Sequence, residues 1–146
     1  MKQILSNDII NQYMPTLVKC PLFNTLGEPE LRSYLNNAKV IIHSYKKNDF
    51  IALAGDPMEG IGVIFEGSAL LTRENVMGQR VIMANLEQSD IFGEALLFSK
   101  QPLWPATIKA TKATKIMFIP LETFIKTLPD CHQCQTKILS NLLEDL

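Results

Sequence analysis

The spacing of hydrophobic and polar positions changes twice along the chain. Over residues 1–37 apolar side chains recur at helical intervals. Ile4, Leu5 and Ile9, with Asp8 and Gln12 beside them, predict a partly amphipathic helix that Pro15 should end. The stretch PTLVKCPLF is then an apolar patch bounded by Pro15 and Pro21. EPELRSYLNN predicts a second helix, with Pro29 near its start, where a missing N–H costs nothing. Leu31, Tyr34 and Leu35 share one face of it.

From residue 38 to 119 the period shortens. The runs AKVIIHSY, DFIAL, GIGVIFE, SALLTREN, QRVIMANLE, PATIKATK and TKIMFI predict strands. Between them lie KKND, AGDPMEG, EG, VMG and EQSD, whose Gly, Asn and Asp supply the positive φ angles of tight turns. No long helix separates the strands, so parallel crossovers are excluded. Many short strands at nearly regular spacing point to a mainly β sandwich or jelly-roll barrel.

From Pro120 helical spacing returns. LETFIKTLPD predicts one short helix and CHQCQTKILSNLLEDL begins another. Ile138, Leu139, Leu142 and Leu143 form an apolar stripe still running at Leu146. The expectation is a last helix cut short, whose stripe packs on the barrel or on a second copy of itself. No repeat, low-complexity run or linker interrupts residues 1–146, which are expected to form one domain.

Composition narrows the function. At 146 residues, 47% hydrophobic and 20% charged, the chain can bury the core of one globular domain. The net charge of −1 and three scattered arginines, Arg32, Arg73 and Arg80, give no footprint for nucleic acid. No run approaches the roughly 20 apolar residues of a membrane span, and the polar N-terminus lacks a signal-peptide block. Three cysteines imply no disulfide framework and a reducing cytoplasm.

One ordered series of motifs goes further. Gly55-Asp56 follows the DFIAL run, Gly67 follows GIGVIFE, Gly78 sits in the next turn, and Phe92-Gly93-Glu94 and Ala106-Thr107-x-x-Ala110 come after. In this order they resemble the N-terminal cyclic-nucleotide-binding-like domain of Crp/Fnr transcription regulators. The K-C-P-L-F opening and the cysteine-containing start of the last helix are most similar to members from clostridia and related anaerobes. The resemblance implies a double-stranded antiparallel β-roll (a cupin-like jelly roll) with flanking N-terminal helices. It also implies a C-terminal helix that pairs two subunits into a homodimer, and an unknown small-molecule effector. The helical lead-in would span 1–37, the roll 38–119 and the C-terminal helices 120–146. DNA would be read by a winged helix-turn-helix to which nothing here corresponds. Two departures fall in turns: Asn48 and Ser89 stand where the family commonly has glycine. Asparagine tolerates left-handed geometry, whereas the turn at Ser89 is expected to differ slightly.

The decisive departure lies in IFGEALLFSKQPLWPATIKA. In relatives that bind cyclic AMP, backbone N–H groups after F-G-E face the phosphate, the glutamate bonds the ribose and an arginine clamps the phosphate oxygens. Gly93, Glu94, Ala95 and Leu96 match the first half of that cassette. Trp104 stands at the arginine's place and Pro105, without a backbone donor, follows it. Lys100 and Lys109 are out of register. The expectation is weak or absent binding of cyclic AMP or cyclic GMP. The effector-site candidates are Gly93, Glu94, Ala95, Leu96, Trp104, Pro105 and Ala106. Trp104 either fills the emptied pocket or offers a flat face to an apolar or aromatic effector. Ile138 and Leu142 either approach the pocket from the last helix or lie at a dimer seam.

Other chemistry is thinner. Cys131-x-x-Cys134, with His132 between and Cys20 as a third thiol, has metal or redox spacing. Ordinary thiols explain the same residues, and the four ligands an iron–sulfur cluster wants do not match the family's pattern. No cofactor or resident metal is expected. His43 lies in an apolar strand run, as a structural histidine would. No H-x-H pair or nucleophile–base arrangement appears, and an enzyme is not expected.

Overall fold

The computed structural model describes residues 2–96, 99–125 and 132–145. Helix α1 (Asn7–Leu17) starts at Ser6, whose hydroxyl accepts from the Ile9 amide at 3.3 Å. Pro15 does not end it. The proline removes one backbone bond, but the Val18 amide still donates to the Met14 carbonyl at 3.0 Å, and Leu17 is fully buried. Burial of that last turn outweighs the local penalty. Helix α2 (Glu28–Asn37) opens with Glu28-Pro29 and buries Leu31, Tyr34 and Leu35, the face expected.

Among the described residues nine strands follow the helical lead-in or flank it. Strand β1 is Lys2–Ile4, β2 Ile41–Tyr45, β3 Phe50–Ala52, β4 Gly60–Glu66 and β5 Ser68–Glu74. Strand β6 is Arg80–Glu87, β7 Ile91–Phe92, β8 Thr107–Ala110 and β9 Thr114–Pro120. They form two antiparallel sheets, ordered β1-β2-β9-β4-β7 and β3-β8-β5-β6. This is the mainly β sandwich or jelly roll that the turn spacing implied, in the double-sheet form that the family resemblance implied. Two strands escaped the pattern. Strand β1 lies where the apolar spacing of residues 1–37 predicts helix, and β7 has only two residues. Each exists through pairing with a distant partner, Ile4 with Ile41 and Phe92 with Gly62.

Strand alternation sorts side chains into two cores. Ile61, Val63 and Phe65 of β4 and Met117 and Ile119 of β9 face the helices, joining Ile10, Leu17, Leu31 and Tyr34. The Tyr13 ring stacks on Phe65 with centroids 4.5 Å apart. Ile64, Ile116 and Phe118 face the other way, into the roll, with Phe92, Trp104 and Ile108. Gly62 belongs to this inner face, and a Cβ there would fall on the Phe92 ring.

Asn48 and Ser89 both adopt left-handed backbone, φ 74° each. Ser89 therefore takes a backbone conformation that glycine adopts freely. Its cost, about 1 kcal/mol for a non-glycine residue, is offset by tertiary bonds. The Ser89 hydroxyl donates to the Thr16 carbonyl at 2.9 Å and its amide to the Ile64 carbonyl at 2.9 Å.

Helices α3 (Leu121–Ile125) and α4 (His132–Asp145) close the described chain. Ile138 of α4 is fully buried in the helical core. It neither reaches the roll interior nor lies on an exposed seam. Lys137 pairs with Glu30 at 3.0 Å, and the Asn141 amide donates to the Leu22 carbonyl at 2.9 Å, so α4 is fastened to its own N-terminal helices. The Leu142 side chain lies outside the described residues, while Leu143 is exposed. Among the described residues no helix is long and apolar enough to cross a membrane.

Candidate functional site

The cassette is built by two segments that clasp each other. The Trp104 amide donates to the Asp56 carbonyl and the Gly55 amide to the Trp104 carbonyl, both at 2.8 Å. The Met58 amide adds a bond to the Pro102 carbonyl at 2.9 Å. These bonds hold residues 102–104 against the β3–β4 loop and send the indole inward, where only 6% of Trp104 remains exposed. Gly93 bends the chain at φ +93°, a conformation L side chains rarely adopt. A Cβ there would meet Met58 Cε at 2.9 Å and the Trp104 ring at 3.3 Å. The benzo edge of the indole therefore lies directly on Gly93.

The other expected residues separate. Glu94, Ala95 and Leu96 form a single 3-10 turn after Gly93, with Glu94 half-buried and Ala95 exposed. Only the backbone of Leu96 is described. Ala106 is buried. Pro105 faces outward, in a cleft of about 390 Å³ also lined by Arg73, Arg80, Thr72 and Thr107. Two of the three arginines, read as scattered from the sequence, thus share one cleft. The β5–β6 hairpin brings them together across residues 74–80, where Glu74 is the register partner of Arg80.

Trp104 has companions that sequence spacing did not single out. Its ring tilts against Phe92 at 5.8 Å, Phe92 meets Phe118 edge-on at 6.0 Å, and Phe118 meets His43 edge-on at 5.6 Å. His43 stacks on Tyr45 at 6.1 Å. Trp104, Phe118, His43 and Tyr45 of this row line a cleft of about 220 Å³, with Phe92 behind them. Asp56, Pro57 and Glu59 of the β3–β4 loop line the same cleft, and His43 Nε2 lies 4.0 Å from Glu59 Oε2. Burial pushes the Tyr45 phenol up to about 12, and the negative charges of Glu59 and Asp49 add to the shift. The parity of His43 and Tyr45 against buried Ile42 was a usable signal. Nothing local announces that Asp56, Glu59 and Phe118 meet them.

Among the described residues no three His, Cys, Asp or Glu side chains converge as metal ligands would. Cys20 is fully buried in the helical core. Cys131 lies outside the described residues, and at His132 and Cys134 only the helical backbone is described.

Two facing antiparallel sheets, with a short helical turn behind the Gly93 bend and a returning segment clasped over it, define a β-roll of the cyclic-nucleotide-binding type. The model of the cyclic nucleotide-binding domain family matches residues 42–130, and the chain belongs to that family. It is 31% identical over 106 residues to the cAMP-activated global transcriptional regulator CRP of Pasteurella multocida, across 70% of this chain and 50% of that protein. The chain thus spans about half the length of this curated relative. In fold it matches the sensor domain of the transcriptional regulator DNR from Pseudomonas aeruginosa, with TM-score 0.75, 18% identity and coverage of 94% of this chain and 88% of that one. The Thermus thermophilus catabolite activator protein matches with TM-score 0.73 and 22% identity, over 85% of this chain and 55% of that one. The domain is thus similar to those of Crp/Fnr transcription regulators, and the curated relative is a regulator.

Proposed function

We propose that the chain is the effector-sensing domain of a Crp/Fnr-type transcription regulator whose effector is neither cyclic AMP nor cyclic GMP. The observation that carries this reading is the buried Trp104 indole lying on Gly93. A phosphate seated there would need the indole's volume and an opposing charge, and the cassette supplies neither. Pro105 also withholds an amide donor. An anion buried without a partner costs several kcal/mol, enough to abolish useful affinity. The Pasteurella relative is cAMP-activated; this chain keeps the roll and loses the clamp.

The effector would act on the cassette residues Gly93, Glu94, Ala95, Leu96, Trp104, Pro105 and Ala106, between the roll and the C-terminal helix. Two copies would pair through that helix, and DNA would be contacted by another part of the regulator. Effector binding would shift the balance between two helix arrangements through its differential affinity for them. Calorimetric titration with cyclic AMP and cyclic GMP tests the reading. No heat of binding is expected up to millimolar nucleotide, and a micromolar dissociation constant for either would overturn it.

A further inference from the structure

The cleft beside Trp104 has a chemistry of its own. Its lining combines the rings of Tyr45, Trp104 and Phe118 with the carboxylates of Asp56 and Glu59, and includes neither lysine nor arginine. His43 is the one lining side chain able to carry positive charge, and it sits beside Glu59. Aromatic faces present negative charge density, with indole the strongest of them. Carboxylates at the mouth add to the same field. Both parts of the wall therefore favour a positive guest and disfavour a phosphate.

The parts are placed for the task. The indole orientation is set by the reciprocal Trp104–Asp56 and Gly55–Trp104 backbone bonds, which also put the Asp56 side chain on the adjoining loop. Glu59 keeps 72% of its side chain exposed, so its carboxylate is accessible to a cation arriving from solvent. At the rim the Lys109 ammonium already rests 5.7 Å from the Phe50 ring centroid, an intramolecular instance of the same pairing. The volume, about 220 Å³, is below the range of roughly 300–1,000 Å³ that encloses drug-sized ligands and suits a small head group.

We propose that this cleft binds a small organic ammonium ion, with the head group on the aromatic wall and the charge answered by Asp56 and Glu59. The site adjoins the same Trp104 indole that lies on Gly93. It rests on the effector reading only for its regulatory meaning, since a ligand there would bear on the same indole that covers the cassette.

Trp104 is the single tryptophan of the chain, so its emission reports on the cleft directly. Choline, tetramethylammonium and n-butylammonium chlorides would be titrated against sodium chloride at matched ionic strength. The neutral isostere of choline, 3,3-dimethylbutan-1-ol, is the control. A saturable emission change with at least one of the ammonium ions is expected, with the isostere about tenfold weaker than choline if choline is the ligand. The double variant Asp56→Asn/Glu59→Gln should weaken the ammonium about fivefold or more while its melting curve stays unchanged. Both carboxylates are at the surface, so folding should survive. Silence from all three cations at tens of millimolar, equal binding of the isostere, or an unaltered affinity in the double variant would each overturn the assignment. Cyclic AMP titrated into the same sample separates the two ideas. Cation silence with nucleotide silence removes the ammonium site alone, whereas micromolar nucleotide binding removes the effector reading.

Discussion

Replacing Trp104 with alanine removes the side chain on which the cassette closes. The indole is 6% exposed, tilts against Phe92, lies on Gly93 and shares a buried cluster with Met58, so most of its apolar surface is withdrawn from water. Truncating a buried tryptophan costs about 3–5 kcal/mol, through lost transfer energy and a cavity that relaxes only in part. Here the lower end is expected, because the new void joins the 220 Å³ cleft and can fill with water from that side. A loss of about 3 kcal/mol leaves a domain of ordinary stability, about 5–15 kcal/mol, still folded. Urea denaturation followed by far-ultraviolet circular dichroism measures it, since the variant has no indole emission. Free indole should then refill the void, and at ten times its dissociation constant would restore about 1.4 kcal/mol. A loss below about 1 kcal/mol would refute the reasoning, because the indole would then be a surface platform and not the occupant of the phosphate seat. Absence of any indole rescue would show that the roll collapses onto the site.

Gly62→Ala drives a methyl into the Phe92 ring and should cost about 1–3 kcal/mol in the same assay, with Phe92→Leu relieving at least about 0.5 kcal/mol of it in the double variant. Additive losses would disprove the contact. For Tyr45 burial raises the folded phenol to about 12 against 10.0 for an exposed tyrosine, so the folded state holds its proton after the unfolded state has lost it. Stability is therefore undiminished below pH 10 and falls as pH rises from 10 towards 12. The phenolate absorbance lost on Tyr45→Phe should titrate late in the native protein, where burial raises Tyr13 as well, and a Tyr45 contribution titrating at the ordinary value would contradict the burial beside Glu59.

Much of the fold was legible because its signals are local. The run GIGVIFE predicted β4 from Gly60 to Glu66, and turn residues bounded β5 and β6 closely. Asn48 in left-handed backbone follows from the residue type alone. Other elements had no local signature. Pro15 sits inside α1 because Leu17 gains a buried place in the helical core, and β7 is a strand because β4 pairs with it. The hairpin that gathers Arg73 and Arg80 is invisible to spacing until the register is known.

The sequence by itself determined the class of fold and placed a tryptophan at residue 104. Turn chemistry, strand period and the identity of residue 104 are properties of short stretches, and each acts through nearest neighbours. Only the tertiary structure decided where that side chain lies. Whether Trp104 turned inward or outward depended on its reciprocal bonds to the β3–β4 loop. Whether its outer side met water, protein or a cleft depended on how His43, Tyr45, Asp56, Glu59 and Phe118 were brought around it. Those residues belong to β2, the β3–β4 loop and β9, and sheet pairing and loop closure, not sequence proximity, set the space between them.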